Sequence, residues 1–151
     1  MGRLFSAVTR FFVEDEWKFD QVDDQALRMG FAGKNGNWTC IARAREEKGI
    51  FLFYSICANN VPEGARPAVA EYLTRANYGL PLGSFELDYA DGEVRFKTSV
   101  DVEDDEDKLT FGMIKSLIYS NVITFDRYLT GLMKVAYGGA RPEEAVAEAE
   151  A

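Results

Sequence analysis

The sequence predicts an α+β fold, α-β(3)-α-β(2)-α, with an antiparallel sheet packed on helices. Three observations predict it. Apolar residues recur at helical spacing in three separate stretches, near residues 4–13, 67–77 and 110–130. Asn35-Gly36 and Asp91-Gly92 each stand between alternating apolar runs, the strongest short-range mark of a hairpin. The strands come in runs with helices between them, which favours antiparallel sheet over a parallel one.

The first helix rests on Leu4, Phe5, Val8, Phe11 and Phe12. Glu14 to Asp24 is polar apart from Trp17, Phe19 and Val22, and reads as a loop with one short extended piece. Strands at 26–33 and 37–45 then flank Asn35-Gly36. A two-residue turn there sets Phe31 opposite Cys40, Met29 opposite Ala42 and Leu27 opposite Ala44. A second turn, Glu46-Glu47-Lys48-Gly49, leads into a strand from Ile50 to Ile56, with Ala44 beside Phe51 and Ala42 beside Phe53. Small residues opposite large ones fill a face. The other face is also apolar, with Ile41, Leu52, Tyr54 and Ile56, so it must be covered as well or reserved for a partner.

Pro67 suits the first turn of the second helix. Val69, Tyr72, Leu73 and Ala76 form its stripe, and Asn77-Tyr78-Gly79 ends it. Around Asp91-Gly92, pairing sets Phe85 with Thr98, Leu87 with Phe96 and Tyr89 with Val94, and opposes charges at Glu86–Lys97 and Asp88–Arg95. The third helix spans 110–130, burying Phe111, Ile114, Ile118, Val122, Phe125 and Leu129, with Gly131 expected to break or bend it and Leu132, Met133 and Val135 to continue it. Residues 1–140 thus make one domain. Residues 141–151 are an Ala/Glu-rich tail that starts a short helix at Pro142 and is expected to fray.

A chain of 151 residues suffices for a core without disulfides. The net charge of −8 argues against nucleic acid or an anionic membrane as partner. The absence of histidine removes Ser/His and Cys/His nucleophile pairs and most zinc and haem sites. Gly30-x-x-Gly33-x-x-Gly36 lies between strands rather than between a strand and a helix, so it is no dinucleotide fingerprint and no cofactor is expected. Cys40 and Cys57 fall diagonal to each other, roughly 7 Å apart at Cβ where a bridge needs about 4 Å, and read as reduced core thiols. The acidic run 101–107 has Glu106 where a calcium loop needs glycine, and it precedes a helix whose dipole favours negative charge. Acids at Glu14, Asp15 and Glu16 come too early for a signal peptide, and no stretch nears the roughly 20 apolar residues of a span, so a cytoplasmic location is expected.

Arg66 and Arg75, with Asn77, lie on the second helix beside the chain reversal Gly79-Leu80-Pro81-Leu82-Gly83. They read either as helix-surface charge plus an asparagine cap, or as a polar cluster that fixes the helix or contacts a partner. Val61-Pro62-Glu63, the run Val69 to Tyr78, Gly83-Ser84-Phe85-Glu86-Leu87-Asp88 and Asp91-Gly92-Glu93-Val94-Arg95-Phe96 together resemble the YbjN-like family of bacterial proteins, labelled sensory-transduction regulators. The resemblance covers roughly residues 14 to 140. It implies a fold similar to the small dimeric chaperones of type III secretion, which bind client segments on apolar surfaces, and it brings no enzymatic residues.

The expectation is therefore a non-enzymatic, homodimeric, protein-binding module whose client is unknown. Its docking residues are expected to be Ile41, Leu52, Tyr54 and Ile56, unless these belong to the core or a dimer seam. The rival is a small-molecule sensor with an apolar cavity between the third helix and the sheets, lined by Phe96, Tyr119 and Phe125.

Overall fold

The computed structural model of the protein describes residues 2–103 and 105–151. Helix α1 (Arg3–Glu14) buries Leu4, Phe5, Val8, Phe11 and Phe12, as their spacing predicts. It has no side-chain cap of its own. Glu46, just beyond the third strand, supplies one: its carboxylate accepts from the amides of Leu4 at 3.1 Å and Phe5 at 2.7 Å. A remote acid thus satisfies orphan donors and sits at the positive end of the dipole.

The strands β1 (Asp20–Asp23), β2 (Ala26–Ala32), β3 (Asn37–Arg45), β4 (Ile50–Ile56), β5 (Ser84–Leu87) and β6 (Val94–Asp101) form one antiparallel sheet in the order β1-β2-β3-β4-β6-β5. The short extended piece before the meander becomes the edge strand β1. The meander and the second hairpin are parts of a single sheet, joined where β4 pairs with β6 and Phe53 meets Thr98. Along β3 and β4 the expected pairs Ala44–Phe51 and Ala42–Phe53 are observed.

Both hairpins flanking that pair are corrected by two residues. Phe31 pairs with Trp38, Met29 with Cys40 and Leu27 with Ala42, because the turn spans Gly33 to Gly36 rather than Asn35-Gly36 alone, closed by Gly33 N–H to Gly36 O at 2.8 Å. Asp126, far along the chain on the long third helix, holds this wider loop, accepting from the Asn35 amide at 2.9 Å and the Lys34 amide at 3.2 Å. In the second hairpin Phe85 pairs with Phe96, Glu86 with Arg95 and Leu87 with Val94. That loop runs from Asp88 to Glu93, where Asp88 Oδ1 accepts from the Ala90 amide and Asp91 Oδ1 from the Glu93 amide. Aspartate side chains that bond backbone two residues on stabilise such longer turns.

Helices α2 (Arg66–Asn77), α3 (Phe111–Tyr137) and α4 (Pro142–Glu150) complete the fold. In α2 the buried residues are Val69, Tyr72, Leu73 and Ala76, the predicted stripe. Helix α3 runs unbroken through Gly131, a correction explained by packing: a Cβ on Gly131 would lie 2.3 Å from the Tyr72 hydroxyl. Phe111, expected in the stripe, is 43% exposed at the helix start and lies against Phe11, ring centroids 4.8 Å apart. The tail expected to fray is instead docked as α4. Ala145 and Val146 are buried against α2 and α3, Tyr128 donates to Glu150 at 2.6 Å, and Arg127 donates to the Ala149 carbonyl at 3.1 Å.

Candidate functional site

The strands alternate cleanly between two faces, and the two faces differ in kind. Toward the helices point Trp38, Cys40, Ala42, Ala44, Phe51, Phe53, Phe96 and Thr98, all buried. On the opposite face, among the described residues, none of the outward side chains of β3, β4 or β6 is buried. A half-covered antiparallel sheet usually shows polar residues to solvent. Here the centre of the open face is apolar.

The structure brings Ile41, Leu52, Tyr54 and Ile56 together on that face. Ile41 and Tyr54 are direct cross-strand partners, and Leu52 and Ile56 flank Tyr54 along β4. Each is partly exposed. A cation stands opposite each outward residue of β4's centre: Arg43 pairs with Leu52, Lys97 with Tyr54 and Arg95 with Ile56. The Arg95 guanidinium lies over the Tyr54 ring, 4.3 Å from its centroid, a cation–π contact. Glu86 on β5 bridges the two β6 cations, at 2.7 Å to Arg95 and 3.2 Å to Lys97. Partial burial pushes the Glu86 carboxyl up, but the donors from Arg95 and Lys97 outweigh it and hold the group below its ordinary value.

The residues Arg66, Arg75 and Asn77 are not brought into one cluster. Arg66 and Asn77 sit at opposite ends of α2, roughly 16 Å apart along the axis at helical rise. Arg66 donates to the carbonyls of Val61 at 3.1 Å and Tyr89 at 2.9 Å, tying the loop before α2 to the β5–β6 turn. Arg75 pairs with Glu71 one turn back, on the exposed side. Asn77 does more: its amide accepts from Phe85 N–H at 2.7 Å and donates to Phe85 O at 3.1 Å. Both backbone groups of an edge residue are thus satisfied, which blunts that edge against further pairing.

A buried polar network on the helix-facing side is the feature the sequence reading missed. Asn121 of α3, fully buried, donates to Phe53 O, Phe96 O and Thr98 Oγ1 and accepts from Ser55 Oγ. Its signal was an asparagine on the apolar stripe of α3, one helical turn from Leu117 and from Phe125. Aromatic rings pack together where the sensor cavity is expected. Phe96 and Phe125 are fully buried and Phe85 packs on both, with ring centroids at 4.7 and 6.2 Å, while Tyr119 sits at the margin donating to Asp15 at 2.6 Å. An open cleft of about 690 Å³ lies instead outside α3, between Ile123, Arg127 and the loop 32–35.

Cys40 and Cys57 are both free and buried, and burial pushes their thiols up, Cys40 to about 11. Of the acidic run, Asp104 lies outside the described residues. Among the described ones, Asp101 accepts from the Glu103 amide at 2.7 Å, Glu106 pairs with Arg3, and no group of acids or thiols is arranged to hold a metal. No helix of the described residues is long and apolar enough to cross a membrane.

The model of the YbjN family, described as "Putative bacterial sensory transduction regulator", matches residues 5–133. By sequence, none of the curated proteins matches the chain. Two solved structures share the fold. One is the "Crystal structure of YbjN, a putative transcription regulator from E. coli", with TM-score 0.63, 14% identity, and 80% of this chain and 84% of that chain covered. The other is the "Structure of the HopA1-SchA Chaperone-Effector Complex", with TM-score 0.50, 13% identity, and 81% and 88% covered. At such identity the likeness shows architecture alone.

Proposed function

The chain belongs to the YbjN family, and from that premise we propose that it is a non-enzymatic, cytosolic, homodimeric module of the chaperone, adaptor or regulator kind, which docks a segment of a client protein on the open face of its sheet. The observation that carries this reading is the apolar centre of that face, Ile41, Leu52, Tyr54 and Ile56, lying on the side away from every core-facing side chain. Burying such a patch against a partner is favourable by about 25 cal/mol per Å² of apolar surface. The fold shared with a chaperone–effector complex supports the same class of activity. The want of histidine and the burial of both cysteines weigh against Ser/His and Cys/His nucleophile pairs.

The test compares crosslinked capture from host lysate by the native chain, by Tyr54→Lys and by Ile123→Lys as a surface control outside the sheet. All three are checked for fold by circular dichroism and for mass by light scattering. Proteins held by the native chain and the control but lost by folded Tyr54→Lys are the expected result. Capture unchanged in Tyr54→Lys would overturn the reading.

A further inference from the structure

The charge at the centre of the open face runs against that of the whole molecule. The three central strands β3, β4 and β6 carry four cations, Arg43, Arg45, Arg95 and Lys97, and a single acid, Asp101, at the end of β6. All five point outward, in a chain whose net charge is −8. Each of the three central cations stands directly across from an apolar residue of β4, so aliphatic surface and positive charge alternate over the patch. Their neutralisation is incomplete: Glu86 is one carboxylate between two cations, and Arg43 meets Asp23 at only 3.5 Å.

From this pattern we infer that the occupant of the open sheet face is an acidic, aliphatic segment of another protein, whose carboxylates meet Arg43, Arg95 and Lys97 while its apolar side chains lie on Leu52, Tyr54 and Ile56. The inference rests on the docking reading above and adds the chemistry of the client. Interfaces of this kind take their specificity and association rate from complementary potentials. A second copy of this chain fits poorly, because face-to-face apposition sets the same cations against one another while Glu86 is already engaged by its own Arg95 and Lys97. Nucleic acid fits poorly as well. Its phosphates would meet only a few cations in a chain of net charge −8, where many contacts are needed for useful affinity.

The experiment selects random peptides of about twelve residues, a length that crosses a sheet face of this size, against the whole chain. The selected peptides are then measured on Tyr54→Lys and on the double variant Arg43→Glu/Lys97→Glu, each shown to be folded by thermal melting. Leu52→Ser replaces Tyr54→Lys if the latter does not fold. Acidic and aliphatic residues enriched together, with binding about tenfold weaker on both variants, is the expected result. Fresh selection on the charge-reversed protein should turn the enrichment from Asp/Glu to Lys/Arg. Neutral or basic peptides that still lose binding to Tyr54→Lys overturn this inference and leave the docking reading in place. Peptides indifferent to Tyr54→Lys, or none at all, overturn both. A dimer that Tyr54→Lys reduces to monomer assigns the face to a second copy, and a labelled single-stranded DNA lost on charge reversal assigns it to nucleic acid; either result overturns the inference.

Discussion

Ser55 of β4 and Asn121 of α3 meet across the helix–sheet interface, the serine hydroxyl donating to Asn121 Oδ1 at 2.6 Å with both residues fully buried. The bond is one of a connected set. Trp38 Nε1 donates to Ser55 Oγ at 3.0 Å, the Asn121 amide donates to carbonyls on two neighbouring strands at 3.0 Å each, and Thr98 Oγ1 donates to Leu117 O at 2.8 Å. Four elements are tied at one point. An apolar contact resists sliding weakly, whereas these directional bonds allow only one placement of α3 on the sheet.

Asn121→Ala removes the hub and leaves Ser55, Thr98 and the two carbonyls without that partner in a dry interior. The expected cost is about 3 kcal/mol, from unsatisfied groups plus a cavity. Asn121→Leu restores volume but not donors and should recover only part of the loss. Urea denaturation of the two variants measures both figures.

Gly131→Ala tests a single close approach. The Tyr72 hydroxyl, which donates to Tyr128 O at 2.7 Å, occupies the space that the new methyl group needs. Overpacking of this kind costs about 1–3 kcal/mol. Tyr72→Phe withdraws the oxygen, so the double variant should be more stable than the sum of the two single losses predicts. Thermal melts of the four proteins close the cycle, and strict additivity would refute the contact.

What the sequence revealed, and what it hid, follows from the range of the interactions involved. The buried stripes of α1 and α2 were legible because each is a repeat within one segment, from Leu4 to Phe12 and from Val69 to Ala76. The hairpin registers were not, because Asn35-Gly36 is a local signal, while the loop that forms is held by Asp126, far along the chain. Both errors were of two residues, which preserves the period-two alternation of faces. Ile41, Leu52, Tyr54 and Ile56 all lie on β3 and β4, where the turn at 46–49 sets the register locally, so their shared face is legible in the sequence. The role of Gly131 is hidden from the sequence for a similar reason, since the ring that requires a glycine lies on α2. Arg66, Arg75 and Asn77 were close in sequence, but the helix directs them to separate tasks.

Asp126→Ala should loosen the Gly33–Gly36 turn. Two backbone amides lose their acceptor, and Asn35 Nδ2 loses its Oδ2 contact while keeping the Asp126 carbonyl. The site is exposed, so water replaces the carboxylate in part and the cost is about 1 kcal/mol. Hydrogen exchange gives the sharper reading. The Lys34 and Asn35 amides should exchange faster while those of β4 and β6 remain protected.

Glu86 makes stability depend on acid. Burial alone would raise its carboxyl, but the donors from Arg95 and Lys97 leave it below the ordinary value of 4.5. A carboxyl depressed in the folded state contributes its full stabilisation above the unfolded value and loses it as pH falls through the folded one. The melting temperature of the native chain should therefore drop below pH 4.5, while that of Glu86→Gln should change less over the same window. Equal slopes would mean that Arg95 and Lys97 do not hold the charge.

The two cysteines report whether the sheet and its cover open together. Burial raises the Cys40 thiol to about 11, against which its contacts with Ser55 and Trp38 act only in part, and burial also raises Cys57. The thiolate is the reactive form, so at pH 8 a thiol of that pKa is ionised to only about one part in a thousand, where a solvated one reaches about a quarter. A thiol reagent should accordingly label neither residue in the native protein at a rate near that of free cysteine, and should label both at once in denaturant. Cys40 lies on β3 under the helices and Cys57 just past the end of β4, so their native labelling rates follow different openings. A rate at Cys40 equal to that of global unfolding, with a faster one at Cys57, is the expected pattern. Fast labelling of Cys40 in the folded chain would mean that the helical cover lifts from the sheet without unfolding it, contrary to the tie that Asn121 makes between them.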